Sequence, residues 1–198
     1  MQKSQAYLVA EKKILQSLKS GSTELDLSNL NLTEPPELLE QHTQLKSLNL
    51  SNNFLKVLPE TLGHLKQLQD LNLSENRLET LTDSLGQINK LYKLDISNNL
   101  LSTLPDSFGQ LTQLRFLNIS NNPLRKLPEQ IGRLLLLSEL YISNTNLTEL
   151  PEWLGQLNNL TQLEIGVGIP EFLLQAGWST DSENVNRIIS LPNSLNTV

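Results

Sequence analysis

Residues 45–67, LKSLNLSNNFLKVLPETLGHLKQ, decide the fold. Leu48 and Leu50 stand two apart, so on an extended chain both point to one face while Ser47 and Asn49 point to the other. Asn53 sits where the chain turns away from the strand, and its amide can satisfy backbone groups that burial would otherwise leave unpaired. Leu58-Pro59-Glu60-Thr61-Leu62-Gly63 then suits a short helix, with proline at its first position and an acidic residue at its positive end. A unit of strand, turn and short helix cannot bury its own leucines and needs stacked copies.

The copies are present. Leu45, Leu68, Leu91, Leu114, Leu137 and Leu160 are 23 residues apart. The unit from Leu91 refills the same slots with Leu94, Ile96, Asn99, Leu101, Leu104, Pro105, Phe108 and Leu111. An earlier copy beginning at Ser22 carries Leu25, Leu27, Leu32 and Pro36, and about a quarter of the chain is leucine. Stacking such units predicts one parallel sheet with strands about 4.8 Å apart on the inner side of an arc.

This pattern resembles the leucine-rich repeat family, specifically its 23-residue intracellular class, found in Ras-suppressor-like and scribble-like scaffolds. The resemblance covers residues 22–167. It implies an α/β leucine-rich repeat solenoid: a right-handed arc with a parallel sheet on the concave face and short helices or 3-10 turns on the convex face. The expected organisation is an N-terminal helical cap over 1–21, repeats over 22–167 as six 23-residue units plus a partial seventh, and a C-terminal cap or degenerate repeat over 168–198.

Several columns follow from this framework. Asn53, Asn76, Asn99 and Asn122 are expected to be structural, with Thr145 doing part of the same job in the next unit. Glu37, Glu60, Asp83, Asp106, Glu129 and Glu152 complement short-helix N-termini, a reading preferred over a metal site. Thr82 breaks the proline column and predicts a locally looser segment. His42 occupies a leucine slot and is expected to be half-buried.

Solenoid ends need covers. Residues 3–19 read as an amphipathic helix with Tyr7, Ile14, Leu15 and Leu18 on one stripe. After Ile165 the register fails at Gly166-Val167-Gly168, and two readings of the tail stay open. In one, Pro170 to Gln175 forms a helical turn, and Thr180-Asp181-Ser182-Glu183 caps a second helix that presents Val185, Ile188 and Ile189 on one face. In the other, Asn186, Ile188, Leu191, Pro192 and Leu195 fill the slots of a further degenerate repeat, and the chain is a fragment of something longer.

Composition narrows the function. With 15 lysines and arginines against 21 acids the 198-residue chain carries a net −6, which disfavours phosphate-driven binding of nucleic acid or an anionic membrane. The absence of cysteine excludes disulfides, thiolate zinc sites and cysteine nucleophiles. No apolar run approaches a membrane span, and the N-terminal stretch Ala6 to Ala10 is too short for a signal-peptide core, so a cytoplasmic protein is expected. No phosphate loop, HExxH or GxSxG is present. The serines at 28, 51, 74, 97, 120 and 143 form a polar ladder on the sheet rim rather than a set of nucleophiles. Neither an enzyme nor a cofactor or metal is expected.

Function is therefore sought in side chains that point out from the strands. Phe116 and Tyr141 interrupt a carpet of small polar and acidic groups, with Tyr92 expected to extend them into a diagonal. Lys93, Asp95, Arg115, Asn118 and Glu139 flank them and complete the expected partner-binding set, since aromatic and arginine side chains dominate binding hot spots. The expectation is a non-enzymatic scaffold that holds a protein or peptide on its concave face. The alternative is the sensing region of a larger signalling enzyme, because similar arrays precede GTPase and kinase modules in Roco-type proteins. Oligomeric state is not encoded. Leu135 and Leu136, with Trp153 one repeat on, are a second candidate patch, which the tail is expected to cover through Trp178 or Phe172.

Overall fold

The computed structural model describes residues 3–147 and 150–165, together with the backbone of Ile188–Ile189. The first element, α1 (Gln5–Ser20), opens at Ser4, whose hydroxyl accepts from the Tyr7 N–H at 3.1 Å. It closes at Gly21 in the left-handed region, φ 68°, where the Gly21 and Ser22 N–H groups return to Leu18 and Ser17 carbonyls, a conformation in which a Cβ is strained.

Seven three-residue strands follow at one per repeat: β1 (Glu24–Asp26), β2 (Ser47–Asn49), β3 (Asp70–Asn72), β4 (Lys93–Asp95), β5 (Phe116–Asn118), β6 (Glu139–Tyr141) and β7 (Gln162–Glu164). They pair in parallel in sequence order, each residue facing its equivalent 23 positions on, as with Leu48 and Leu71. The central leucine of each strand is buried, and so is the Leu or Ile two residues on, through to Ile142. Among the described residues six 3-10 helices line the convex side, Glu37–Gln41, Glu60–His64, Asp83–Gln87, Asp106–Gln110, Glu129–Arg133 and Glu152–Gln156. Their tight packing explains the glycine column: a Cβ built on Gly86 would meet the Ser107 carbonyl oxygen at 2.4 Å, and one on Gly63 the Ser84 oxygen at 2.6 Å.

The asparagine column is a set of stitches between coils. Asn99 Nδ2 donates to Leu73 O of the preceding unit at 3.0 Å and to its own Ile96 O at 3.1 Å, while its Oδ1 accepts from Leu78 N at 2.9 Å. Asn53, Asn76 and Asn122 repeat the pattern, and all four are buried. Each amide thus satisfies backbone groups that stacking removes from water.

Four expectations are corrected. Thr82 does not loosen its segment: its φ of −72° and ψ of 143° match the prolines elsewhere, and its hydroxyl accepts from the Ser84 N–H at 3.3 Å. His42 is fully rather than half buried, because α1 closes over it and Ser17 Oγ sits 2.7 Å from its Nε2. Burial holds its pKa below the ordinary histidine value. On α1 the buried stripe is Tyr7, Ala10, Ile14 and Ser17, whereas Leu15 is exposed, one 100° step round from Ile14. The Tyr7 hydroxyl accepts from the Glu37 N–H at 3.0 Å, tying α1 to the first 3-10 helix.

The fourth correction concerns the tail. Ile188–Ile189 forms β8, which pairs antiparallel with β7 through Glu164↔Ile188 and Leu163↔Ile189. Ile188 and Ile189 are therefore strand rather than helix. The physical reason is the open edge of β7, whose unpaired backbone groups any extended β-branched segment can take up. The glycine pair after Ile165, the Pro170 turn, the capping box, Phe172 and Trp178 lie outside the described residues.

Candidate functional site

The concave face is built from two outward slots per strand, on either side of the buried leucine. The second slot is largely committed to shaping the turn. The Oδ1 atoms of Asp26, Asn49, Asn72, Asp95 and Asn118 each accept from the N–H of the serine two residues on, at 2.9–3.1 Å. These Asx turns lead the chain off the strand. Asp95 and Asn118 therefore hold backbone while presenting only part of each side chain, and Asn118 Nδ2 donates to Asp95 Oδ2 at 3.4 Å.

Tyr141 breaks the column. With no short side chain to accept from Ser143 N, that N–H turns instead to Ser120 Oγ at 3.2 Å, and the phenol is released onto the face. Across the strand pair Phe116 faces Glu139 and Asn118 faces Tyr141, so Phe116 and Tyr141 are diagonal neighbours. Their ring centroids stand 5.3 Å apart at 41°, a tilted packing that contributes about 0.5–1.5 kcal/mol. The Tyr141 hydroxyl donates to Glu139 Oε2 at 3.1 Å. Burial, and then this bond, push the phenol pKa up to about 12, so it remains a proton donor throughout the physiological range.

Lys93 lies on the other side. Its ammonium is 5.4 Å from the Phe116 ring centre and 3.7 Å from Asp70 Oδ2. Burial raises the Asp70 pKa, against the pull of Lys93. Asp70, Lys93, Phe116 and Glu139 thus form one row across four strands.

Of the expected set, Lys93, Phe116, Glu139 and Tyr141 are brought into direct contact. Tyr92 is not: it precedes β4, is exposed, and has no ring partner among the described residues, where Phe116–Tyr141 is the one ring pair. Its carbonyl accepts both Arg115 N and Phe116 N, which holds it on the strand-entry rim. Arg115 lies on the same rim, exposed and without an ion pair among the described residues.

Two members were missed, Asp70 and Glu164, the latter accepting from Ser143 Oγ at 2.8 Å. Both sit 23 residues from a chosen position, Lys93 and Tyr141, so reading across a column as well as along it finds them. Leu135 is exposed, and the tail residues expected to cover it lie outside the described residues, whereas Trp153 is buried against Gly132 of the preceding coil. Among the described residues no cluster of His, Asp and Glu is arranged to hold a metal.

Three family profiles match. "Leucine Rich repeats (2 copies)" covers residues 43–87, "Leucine rich repeat" residues 71–124, and "Leucine-rich repeat region" residues 105–175. The chain belongs to the leucine-rich repeat family. No curated protein sequence matches it. Among solved structures, a leucine-rich repeat protein of Leptospira interrogans is similar at 32% identity and a TM-score of 0.68, over 70% of this chain and 37% of that one. YopM from Yersinia enterocolitica gives 32% and 0.67 over 80% and 32%. The Arabidopsis receptor kinase HAESA, solved in complex with the peptide hormone IDA and the co-receptor SERK1, gives 32% and 0.64 over 73% and 26%. The chain spans well under two thirds of the length of each of these. A leucine-rich repeat solenoid with such neighbours fits a protein-interaction scaffold.

Proposed function

We propose that this solenoid is a non-enzymatic interaction module that holds a protein or peptide across its concave face, centred on β4 to β6. The observation that carries this reading is the Phe116–Tyr141 pair, an aromatic contact standing on a sheet whose other outward side chains, Lys93 and Gln162 apart, are small, acidic or tied into turns. Aromatic side chains on a rigid surface supply contact area at little entropic cost. The peptide hormone and co-receptor in the HAESA complex support a protein or peptide as the class of partner.

Phe116→Ala combined with Tyr141→Ala is expected to weaken partner capture at least about tenfold while leaving the circular-dichroism melt almost unchanged. Equal capture by the double variant sinks the reading. A second reading, in which these repeats are the sensing region of a longer signalling enzyme, draws support from the match to part of a receptor-kinase chain. Extending the reading frame past Val198 tests it.

A further inference from the structure

Resting on the concave-face reading, we infer that the partner presents a basic, extended segment, with a lysine or arginine seated on the Phe116–Tyr141 pair among Asp95, Glu139 and Glu164. Three observations lead there. The first is the distribution of charge. The fourteen outward positions of β1 to β7 hold Glu24, Asp26, Asp70, Asp95, Glu139 and Glu164 against Lys93 alone, a net −5 of the chain's −6. The rest of the molecule is close to neutral, so the field of the protein is concentrated on one side, where it attracts a cationic partner and repels an anionic one.

The second observation is that the aromatic pair already receives a cation. Lys93 places its ammonium 5.4 Å from the Phe116 ring, a geometry in which the negative ring face attracts positive charge. The chain's own lysine is spoken for by Asp70, so it serves Phe116 and leaves Tyr141 without one. The third is that the carboxylates beside Tyr141 are uncompensated. Among the described residues Glu139 and Glu164 accept only hydroxyl protons, from Tyr141 and Ser143, and neither has an ion pair. Both are half-buried, where the attraction of an entering guanidinium is screened less than on an open surface. A bidentate contact from arginine suits them best.

The acids run from β1 to β7, six strand spacings or about 29 Å. A small polyvalent cation cannot span that distance, whereas an extended segment of about nine residues can.

The test is selection of a displayed library of random peptides, about twelve residues long, on the purified chain. Enriched peptides are expected to carry paired lysines or arginines. A synthesised winner is expected to bind about tenfold more weakly to Phe116→Ala/Tyr141→Ala and to Glu139→Gln/Glu164→Gln, and to weaken as salt is raised. Its affinity should hold for Glu60→Gln/Glu129→Gln, which removes the same charge from the convex side. Neutral or acidic winners that still depend on Phe116 and Tyr141 overturn this inference while the concave-face reading survives. Basic winners bound equally by every variant overturn both. A library that enriches nothing counts against the basic segment, and the capture experiment above then judges the face independently.

Discussion

The units beginning at Leu45, Leu68, Leu91 and Leu114 differ from the unit beginning at Leu137 at two structural slots, the turn position taken by Tyr141 and the asparagine position taken by Thr145, and the second difference separates two tasks that the repeat combines. In the first four, an asparagine reaches back to the preceding coil through both its amide nitrogen and its oxygen. In the fifth, Thr145 Oγ1 reaches only Ile142 O of its own unit, at 2.9 Å. Leu124 N, which by register belongs to that missing amide, turns onto Asn122 O at 2.8 Å. Pro123, one residue before it, has no N–H to give, whereas Arg77 N and Leu100 N in the same slot donate to the preceding coil at 2.9 Å. The Leu137 coil nevertheless keeps strand register, and Leu137, Leu140 and Ile142 are fully buried. Leucines therefore shape each coil, and asparagines hold coil to coil.

The sharpest way to break that comparison is to remove a stitch. Asn99→Ala leaves Leu78 N buried without a partner and takes one of two asparagine donors from the carbonyls of Leu73 and Ile96, which keep Asn76 and Asn122. The expected loss is on the order of 2–3 kcal/mol, because the orphaned donor bears most of its desolvation penalty and the link between the two coils is weakened. Thr145→Ala removes one bond within a single coil and should cost about 1 kcal/mol. Urea midpoints measured at constant slope provide the check. Similar losses for the two variants mean that the asparagines contribute nothing beyond their own coil.

A smaller effect compares the convex side at the same two places. Gly86→Ala drives a Cβ to 2.4 Å from the Ser107 carbonyl oxygen, and backbone cannot yield as a flexible side chain can. About 1–3 kcal/mol should be lost. At Gly155, in the last 3-10 helix, nothing lies within 4 Å of the new methyl among the described residues, and the change is expected to stay within about 0.5 kcal/mol. A Gly155→Ala variant as damaging as Gly86→Ala would show that the last coil is packed like the inner ones.

How much of this is legible in residues 45–67 depends on periodicity. Strand, stitch and 3-10 helix recur with the leucines, so their jobs follow from the slot each residue occupies. What escapes is whatever happens once. The Ser17–His42 contact joins the cap to the first coil, and the antiparallel pairing of Ile188–Ile189 joins the tail to the last strand. Neither partner is 23 residues from its mate, so no column points to it. At the candidate site, Phe116 and Tyr141 stand out because they break columns. Asp95 and Asn118 obey theirs, and only the hydrogen bonds reveal that the column is a row of turns. Tyr92 misleads because a step of one residue along the strand moves a side chain from the face to the rim.

The smallest expected effect is a gain. The residue after each sheet-rim serine adopts the left-handed region, with φ between 52° and 58° at Asn29, Asn52, Asn98, Asn121 and Asn144. Glu75 takes the same conformation at 55°. Asparagine tolerates that region because its short side chain bonds locally, whereas a longer residue bears most of the steric cost. Two pairs of these asparagines also link neighbouring coils through their amides, Asn144 Nδ2 to Asn121 Oδ1 at 2.8 Å and Asn52 Nδ2 to Asn29 Oδ1, and Glu75 has no amide to give. Glu75→Asn should therefore stabilise the chain by about 0.5–1 kcal/mol and raise the melting temperature by about 2–3 °C. Because the substitution adds an adhesive contact without touching a leucine, a gain confined to Glu75→Asn and absent from Glu75→Gln supports coil-to-coil adhesion as a property separable from the core. An equal gain from glutamine would mean that relief of like-charge repulsion on an acidic face, and not backbone strain, is what the glutamate costs.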